Sequence, residues 1–203
     1  MTSVGSRSGM QNTTGNYNSF VGYDAGESNT TGESNTFIGD SAGRETTTAS
    51  NNTAVGQSAL LANTTGTRNT AVGALALDTS TTGDQNTAVG YGAMDANTTG
   101  SNNVAIGDAA LASNTTASNN TAVGDDALKF NTTGIGNTAM GYAAGDALTT
   151  ATELSAFGFD AGSGVTTGVG NTMLGSRAGS YSTALTTGNY NTIVGSYSKT
   201  SAA

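Results

Sequence analysis

Cysteine, histidine, proline and tryptophan are all absent from this chain of 203 residues. Without cysteine the chain has no disulfide framework and no thiolate metal site. Without histidine it lacks the commonest general base and the commonest metal ligand of proteins. We therefore expect no catalytic residues, no metal site and no cofactor, and we expect that the protein is not an enzyme.

Charge is also scarce, because charged residues make up 10% of the chain and the formal net charge is −8. Binding to nucleic acid or to an anionic membrane needs a basic surface, so neither is expected as a partner. No charged segment followed by an apolar one opens the chain, and no apolar run approaches the ~18 residues of a membrane span. The sequence predicts neither a secretory signal nor membrane insertion.

The chain is instead dominated by an internal repeat, marked by a glycine at every seventeenth position. This marker glycine occurs at Gly5, Gly22, Gly39, Gly56, Gly73, Gly90, Gly107, Gly124, Gly141, Gly158 and Gly175. The next copy, Gly195, comes three positions late, and we place this insertion near Tyr181-Ser182-Thr183. One repeat domain over residues 1–203 is predicted, with coils from about 5 to 195 and a C-terminal tail at 196–203.

Two columns of residues precede the marker glycine. The valine column, directly before it, comprises Val21, Ile38, Val55, Val72, Val89, Ile106, Val123, Met140, Phe157, Leu174 and Val194. The alanine column, two residues before it, comprises Phe20, Phe37, Ala54, Ala71, Ala88, Ala105, Ala122, Ala139, Ala156, Met173 and Ile193. An asparagine column lies four residues before the glycine and is broken only by Leu154.

The repeat favours β-structure over helix and over disorder. Most repeats hold two or more glycines, each costing a helix about 1 kcal/mol relative to alanine, and Asn-Thr-Thr-Gly is turn chemistry. Apolar residues placed periodically argue against a disordered chain. Seventeen residues suit one coil of a solenoid, so the fold class is predicted as an all-β parallel β-solenoid of about eleven coils, roughly 50 Å long at a strand spacing of about 4.8 Å.

Side chains alternate between the two faces of a strand, so the valine and alanine columns must point in opposite directions. We expect the valine column to fill the interior of the coil. The alanine column would then form an apolar stripe outside, and such stripes mark interfaces. We predict that this stripe makes inter-chain contacts with further copies of the chain. The asparagine and threonine columns are expected to be scaffolding ladders along the rod.

The strings Asn69-Thr70-Ala71-Val72-Gly73 and Asn103-Val104-Ala105-Ile106-Gly107 resemble the repeats of trimeric autotransporter adhesin heads. They resemble still more closely the Asn-Thr-Ala-Val-Gly and Asn-Thr-Thr-Gly arrays of phage tail fibre shafts. The resemblance runs from about Gly5 to Gly195. It implies a left-handed β-roll that trimerises along its length, on a virion or an extracellular surface. Neither a stalk coiled coil, nor a membrane anchor, nor a C-terminal chaperone domain is recognisable, which favours a phage fibre segment.

Acidic residues after the marker glycine are candidate ligands for Ca²⁺ or a candidate catalytic pair for glycoside hydrolysis. They are Asp24, Asp40, Asp108, Asp125, Asp126 and Asp160. Because their columns are interrupted and no pair stands out, solvated turn residues are the better interpretation. Asn-Thr-Thr sites such as Asn63-Thr64-Thr65 match the N-glycosylation pattern, but they arise from the repeat itself.

The leading hypothesis is a structural or adhesive fibre segment, a rigid trimeric shaft or head without catalysis. Its receptor is unknown, and its exposed strand edges allow end-to-end contact with further copies. Two alternatives stay open: a self-polymerising extracellular filament subunit, and an ice-binding solenoid with threonine ladders. Against the latter, paired threonines would point to opposite faces of a strand, whereas a flat two-rank array needs Thr-x-Thr.

Overall fold

The computed structural model describes residues 1–180 and 186–198. Twelve β-strands of three residues each occur in this part of the chain, and all lie in one parallel sheet in chain order. The strands are β1 (Thr2–Val4), β2 (Ser19–Val21), β3 (Thr36–Ile38), β4 (Thr53–Val55), β5 (Thr70–Val72), β6 (Thr87–Val89), β7 (Val104–Ile106), β8 (Thr121–Val123), β9 (Thr138–Met140), β10 (Ser155–Phe157), β11 (Thr172–Leu174) and β12 (Thr192–Val194).

Equivalent residues of successive coils lie opposite one another in the sheet. Ala54 pairs with Ala71 of the next coil, and the last step pairs Met173 with Ile193 across the longer final coil. The predicted all-β parallel solenoid of about 11 turns is therefore confirmed. The extra residues predicted near Tyr181-Ser182-Thr183 lie outside the described residues.

Each strand ends at the marker glycine because no other residue fits there. Gly56 has φ of 138°, and a Cβ on it would lie 2.6 Å from the carbonyl carbon of Gly73 in the next coil. Beyond the glycine the backbone turns through left-handed residues, of which Ser58 and Leu60 are examples with φ of 55° and 56°. Only glycine adopts the first conformation at low cost, which explains the unbroken marker.

The two strand columns face the opposite way from the prediction. The alanine column is buried inside the coil, with Ala71 and Ala105 fully buried, whereas in the valine column Val72 is 36% and Ile106 40% exposed. The predicted core column (Val21, Ile38, Val55, Val72, Val89, Ile106, Val123, Met140, Phe157, Leu174, Val194) is thus on the outside. The predicted inter-chain column (Phe20, Phe37, Ala54, Ala71, Ala88, Ala105, Ala122, Ala139, Ala156, Met173, Ile193) fills the inside.

The physical reason for this reversal is the narrow bore of the coil. Ala54 shares the interior with Ala59 and Leu60 from the other side of the same coil, and all three are fully buried. A valine pointing inward at every coil would add volume that a close-packed interior does not hold. The small side chain therefore belongs inside, and the β-branched one extends from the outer surface of the sheet.

Part of the interior is polar, because the asparagine column is also buried. Asn69 donates through Nδ2 to the carbonyl of Gly83 at 2.7 Å, and its Oδ1 accepts the backbone N–H of Asn86 at 2.9 Å. The same pair of bonds recurs at Asn52 and Asn103. The predicted asparagine ladder is present: some side chains bond one another from coil to coil, as from Nδ2 of Asn137 to Oδ1 of Asn120 at 3.0 Å, and the column also satisfies buried backbone groups.

Candidate functional site: the outer faces of the rod

The outward residues of the twelve strands form one continuous surface, here called the strand face. It consists of Val4, of the valine column, and of the residue two positions before each of these. These second residues are Thr2, Ser19, Thr36, Thr53, Thr70, Thr87, Val104, Thr121, Thr138, Ser155, Thr172 and Thr192. No charged side chain occurs in either column, although the chain carries a net charge of −8.

The strand face is an exposed apolar stripe of unusual length. Val21 is 38% exposed, Met140 44% and Leu174 49%, and the column runs through all twelve strands. Isolated exposed apolar residues are normal on protein surfaces, but a contiguous apolar stripe marks an interaction site. The sequence predicted such a stripe and assigned it to the wrong column.

A second face carries the paired threonines. The first threonine of each pair is half-buried in most coils. Its Oγ1 donates to the carbonyl of the equivalent threonine one coil later, as from Thr64 to Thr81 at 3.1 Å and from Thr98 to Thr115 at 3.0 Å. The second threonine is exposed in every coil. This threonine column comprises Thr14, Thr31, Thr48, Thr65, Thr82, Thr99, Thr116, Thr133, Thr150, Thr167 and Thr187.

Of the acidic residues considered as ligands or catalysts, Asp108, Asp125 and Asp126 lie in two successive coils, and Asp24, Asp40 and Asp160 lie in other coils. Asp24 is almost fully buried and accepts a hydrogen bond from Nε of Arg7 at 2.7 Å. Asp126 pairs with Lys129 at 2.8 Å, and Asp160 accepts from Nε of Arg177 at 3.3 Å. Among residues 1–180 and 186–198, no three His, Cys, Asp or Glu side chains come together as metal ligands would.

Three other carboxyl groups have a raised pKa, and sequence reasoning did not single them out. Burial raises the pKa of Asp78, Asp95 and Asp146, and the neighbouring carboxylate of Asp95 adds to the effect at Asp78. All three stand five residues after a marker glycine, so their shared position in the repeat was the available signal. Asp78 and Asp95 lie in successive coils, whereas Asp146 lies three coils after Asp95.

Exposed aromatic rings are anchored by arginine on the surface of the rod. Tyr142 and Phe159 stack with ring centroids 5.2 Å apart, and the guanidinium of Arg177 lies 5.3 Å from the Phe159 centroid. Near the other end, Arg7 lies 5.1 Å from the Tyr23 centroid. The contacts run from one coil to the next, so they tie neighbouring coils together.

The chain matches no protein-family model, no curated protein and no solved structure. No helix among the described residues is long and apolar enough to cross a membrane. A function must therefore be argued from the geometry of the chain, which has a stack of in-register coils, an uncharged strand face and a separate threonine column.

Proposed function

We propose that the chain is a rigid segment of a surface fibre, in which three copies associate through their strand faces and no catalysis takes place. The observation that carries this proposal is the uncharged apolar stripe along all twelve strands. Covering an apolar surface of this extent with a partner lowers the free energy of the system. The strand pattern resembles that of phage fibre shafts, which suggests a left-handed trimer on a virion or another extracellular surface.

The absence of charge on the strand face is compatible with a partner identical to the chain itself. Two copies of a chain with net charge −8 repel each other over most orientations, and an uncharged stripe is where they approach at least cost. Parallel rods bring equivalent columns side by side along their whole length. Each residue of the valine column then meets apolar side chains of the neighbouring copies, and the hydroxyl of each strand-face threonine lies near the edge of the interface.

The size of the strand face fits the centre of such an interface. A stripe roughly 50 Å long and about 10 Å wide covers on the order of 500 Å². A standard interface takes about 800 Å² from each partner. In a trimer each chain meets two neighbours, so the strand face supplies on the order of 250 Å² to each contact, and the adjoining turns would supply the rest.

The test is the mass of the purified protein in solution. Native mass spectrometry and light scattering are expected to give three times the chain mass of 19.9 kDa, and this should persist on dilution to low micromolar concentration. Electron microscopy should show straight particles of uniform width. A stable monomer would overturn the proposal.

Ice binding is a second candidate function, favoured by the unbroken threonine column. The column presents a methyl and a hydroxyl group from every coil at a repeat of about 4.8 Å, a regular pattern that ordered water could match. Only one rank faces outward, because the neighbouring threonine has its hydroxyl bonded to backbone. Thermal hysteresis of the purified protein tests this function, and its absence would remove the candidate.

A further inference from the structure

A second polar column lies inside the coil, seven residues after each marker glycine. It comprises Asn12, Asn29, Thr46, Asn63, Ser80, Asn97, Asn114 and Asn131, followed by the apolar Leu148 and Val165. Where two asparagines are consecutive, Nδ2 of one donates to Oδ1 of the other, as from Asn114 to Asn97 at 2.8 Å and from Asn29 to Asn12 at 2.6 Å. This inner ladder is separate from the asparagine column beside the strands.

The inner ladder is interrupted twice, at Thr46 and at Ser80. Both residues are fully buried, and so are Asn29 and Asn63 in the coils before them. At the first break, Oδ1 of Asn29 and Oγ1 of Thr46 have no hydrogen-bond partner, and at the second the same holds for Oδ1 of Asn63 and Oγ of Ser80. Four of the five unpartnered buried side-chain atoms of the described residues thus fall into two equivalent pairs.

The cause is the shorter reach of a hydroxyl. An asparagine at either position would donate Nδ2 to the Oδ1 in the coil before it, but Oγ stands one bond nearer to the backbone. At a coil spacing of about 4.8 Å, this leaves a gap of roughly 4–5 Å between the two oxygens. One water molecule bonded to both oxygens at about 2.8 Å spans such a gap.

We propose that each break binds one internal water molecule, held between Asn29 and Thr46 at the first and between Asn63 and Ser80 at the second. The water donates one hydrogen to the asparagine Oδ1, which is an acceptor only. It exchanges a second hydrogen bond with the hydroxyl, which donates or accepts as required. Two polar partners meet the minimum for a buried water, and such waters are costly to remove.

The asparagine junctions provide an internal control. Between Asn97 and Asn114 the direct bond fills the space that a water would occupy, so no water is expected there. The chain therefore contains both kinds of junction in one column, within the same coil geometry. A difference between them cannot come from crystal form, solvent or refinement.

The experiment is a crystal structure of the native chain and of Thr46→Asn and Ser80→Asn, at a resolution that places single water molecules. Both variants introduce a residue that the same column already holds in other coils. The native chain is expected to show one ordered water at each break and none at Asn97–Asn114. Each variant is expected to lose its own water and to gain a direct bond from Nδ2 to the preceding Oδ1.

A solution measurement gives an independent readout. Cross-relaxation between water and the amides of Asn29 and Asn63 should report long-lived waters in the native chain, and each signal should disappear in its own variant. The proposal is overturned if density is lacking at either break. It is also overturned if the hydroxyl of Thr46 or Ser80 bonds directly to the preceding asparagine.

Discussion

The backbone N–H of Asn86 donates to Oδ1 of Asn69, the equivalent residue one coil earlier, over 2.9 Å. The side chain of one coil thereby takes the place of a strand carbonyl for the next coil. Repeated along the column, this bond fixes the distance and the register between coils at a point where no strand exists. The asparagine column consequently supports stability in a way that no apolar residue could copy.

Replacing Asn103 by alanine should destabilise the chain strongly. The N–H of Asn120 would lose its buried partner, and the carbonyl of Ala117 would keep only its bond from Nδ2 of Asn114. At about 1–3 kcal/mol for the orphaned N–H and about 1 kcal/mol for the other lost bond, we expect a loss of about 2–4 kcal/mol in the free energy of unfolding, measured with urea. Thr99→Ala, nearby on the surface, should stay within about 0.5 kcal/mol. Equal effects of the two changes would contradict the role given to the ladder.

Alanine substitutions at two glycines of neighbouring coils distinguish the cost of a steric clash from the cost of a left-handed backbone conformation. In Gly107→Ala the new Cβ would lie 2.3 Å from the carbonyl oxygen of Gly124, at φ of 141°. In Gly92→Ala the Cβ would meet nothing within 4 Å, at φ of 60°. We expect the first to cost more than about 3 kcal/mol and the second about 1 kcal/mol. Comparable urea midpoints for both variants would show that the contact between marker glycines is loose.

Charges placed on the strand face should separate the proposed oligomer without unfolding the chain. Val72→Asp with Ile106→Asp puts two carboxylates where apolar columns would meet, and an unpaired buried charge costs about 3 kcal/mol or more. We expect a rise of at least about a hundredfold in the dissociation constant, seen by analytical ultracentrifugation. The matched control is Thr99→Asp with Thr116→Asp on the threonine column, which should leave the mass unchanged.

If both pairs of substitutions dissociate the oligomer, the contact surface is not confined to the strand face. If neither does, the copies associate elsewhere. Circular dichroism of each variant should match that of the native chain, because the replaced side chains lie on the outside and carry little of the core.

Asp146 should make stability depend on pH in a definite direction. Burial raises its pKa in the folded chain, and its Oδ1 has no partner among the described residues. A raised pKa means that the charged form disfavours folding, so this penalty is present above the folded pKa and disappears below the unfolded value. Asp146→Asn should therefore raise the free energy of unfolding at pH 7, by at most about 1 kcal/mol because the group is partly exposed, and should have no effect near pH 3. Urea unfolding at both pH values is the measurement, and a greater gain at acid pH would contradict this sign.

The repeat alone predicted the strands and their register, because Asn69-Thr70-Ala71-Val72-Gly73 recurs in phase along the chain. It could not decide which strand face points inward. Alternation separates Ala71 from Val72, but it leaves open which of them meets the interior. The general preference of larger apolar residues for the core favoured valine, and the narrow coil overrides that preference.

A signal for the correct orientation was present in the first coils. Phe20 and Phe37 replace alanine in the alanine column, and Gly26 and Gly43 stand where later coils carry Leu60 or Leu77. A Cβ on Gly26 would lie 2.8 Å from the Phe20 ring, so the two columns touch across the interior. A large side chain in one column is matched by a small one in the other column of the same coil. This inverse relation in size indicates that the two positions fill the same space in the interior.

The inner breaks at Thr46 and Ser80 were beyond prediction for another reason. Threonine and serine are ordinary turn residues, and the sequence does not say that their position is buried. Only the coil geometry places their hydroxyls against Asn29 and Asn63, without partners.

The in-register sheet has a consequence for how this molecule can change in size. Every coil touches only the coil before it and the coil after it, and each adds about 4.8 Å along the axis. Loss or duplication of one repeat unit would therefore alter length in a fixed quantum while leaving cross-section and lateral surfaces as they are. The number of repeat units in the chain therefore sets the length of the rod.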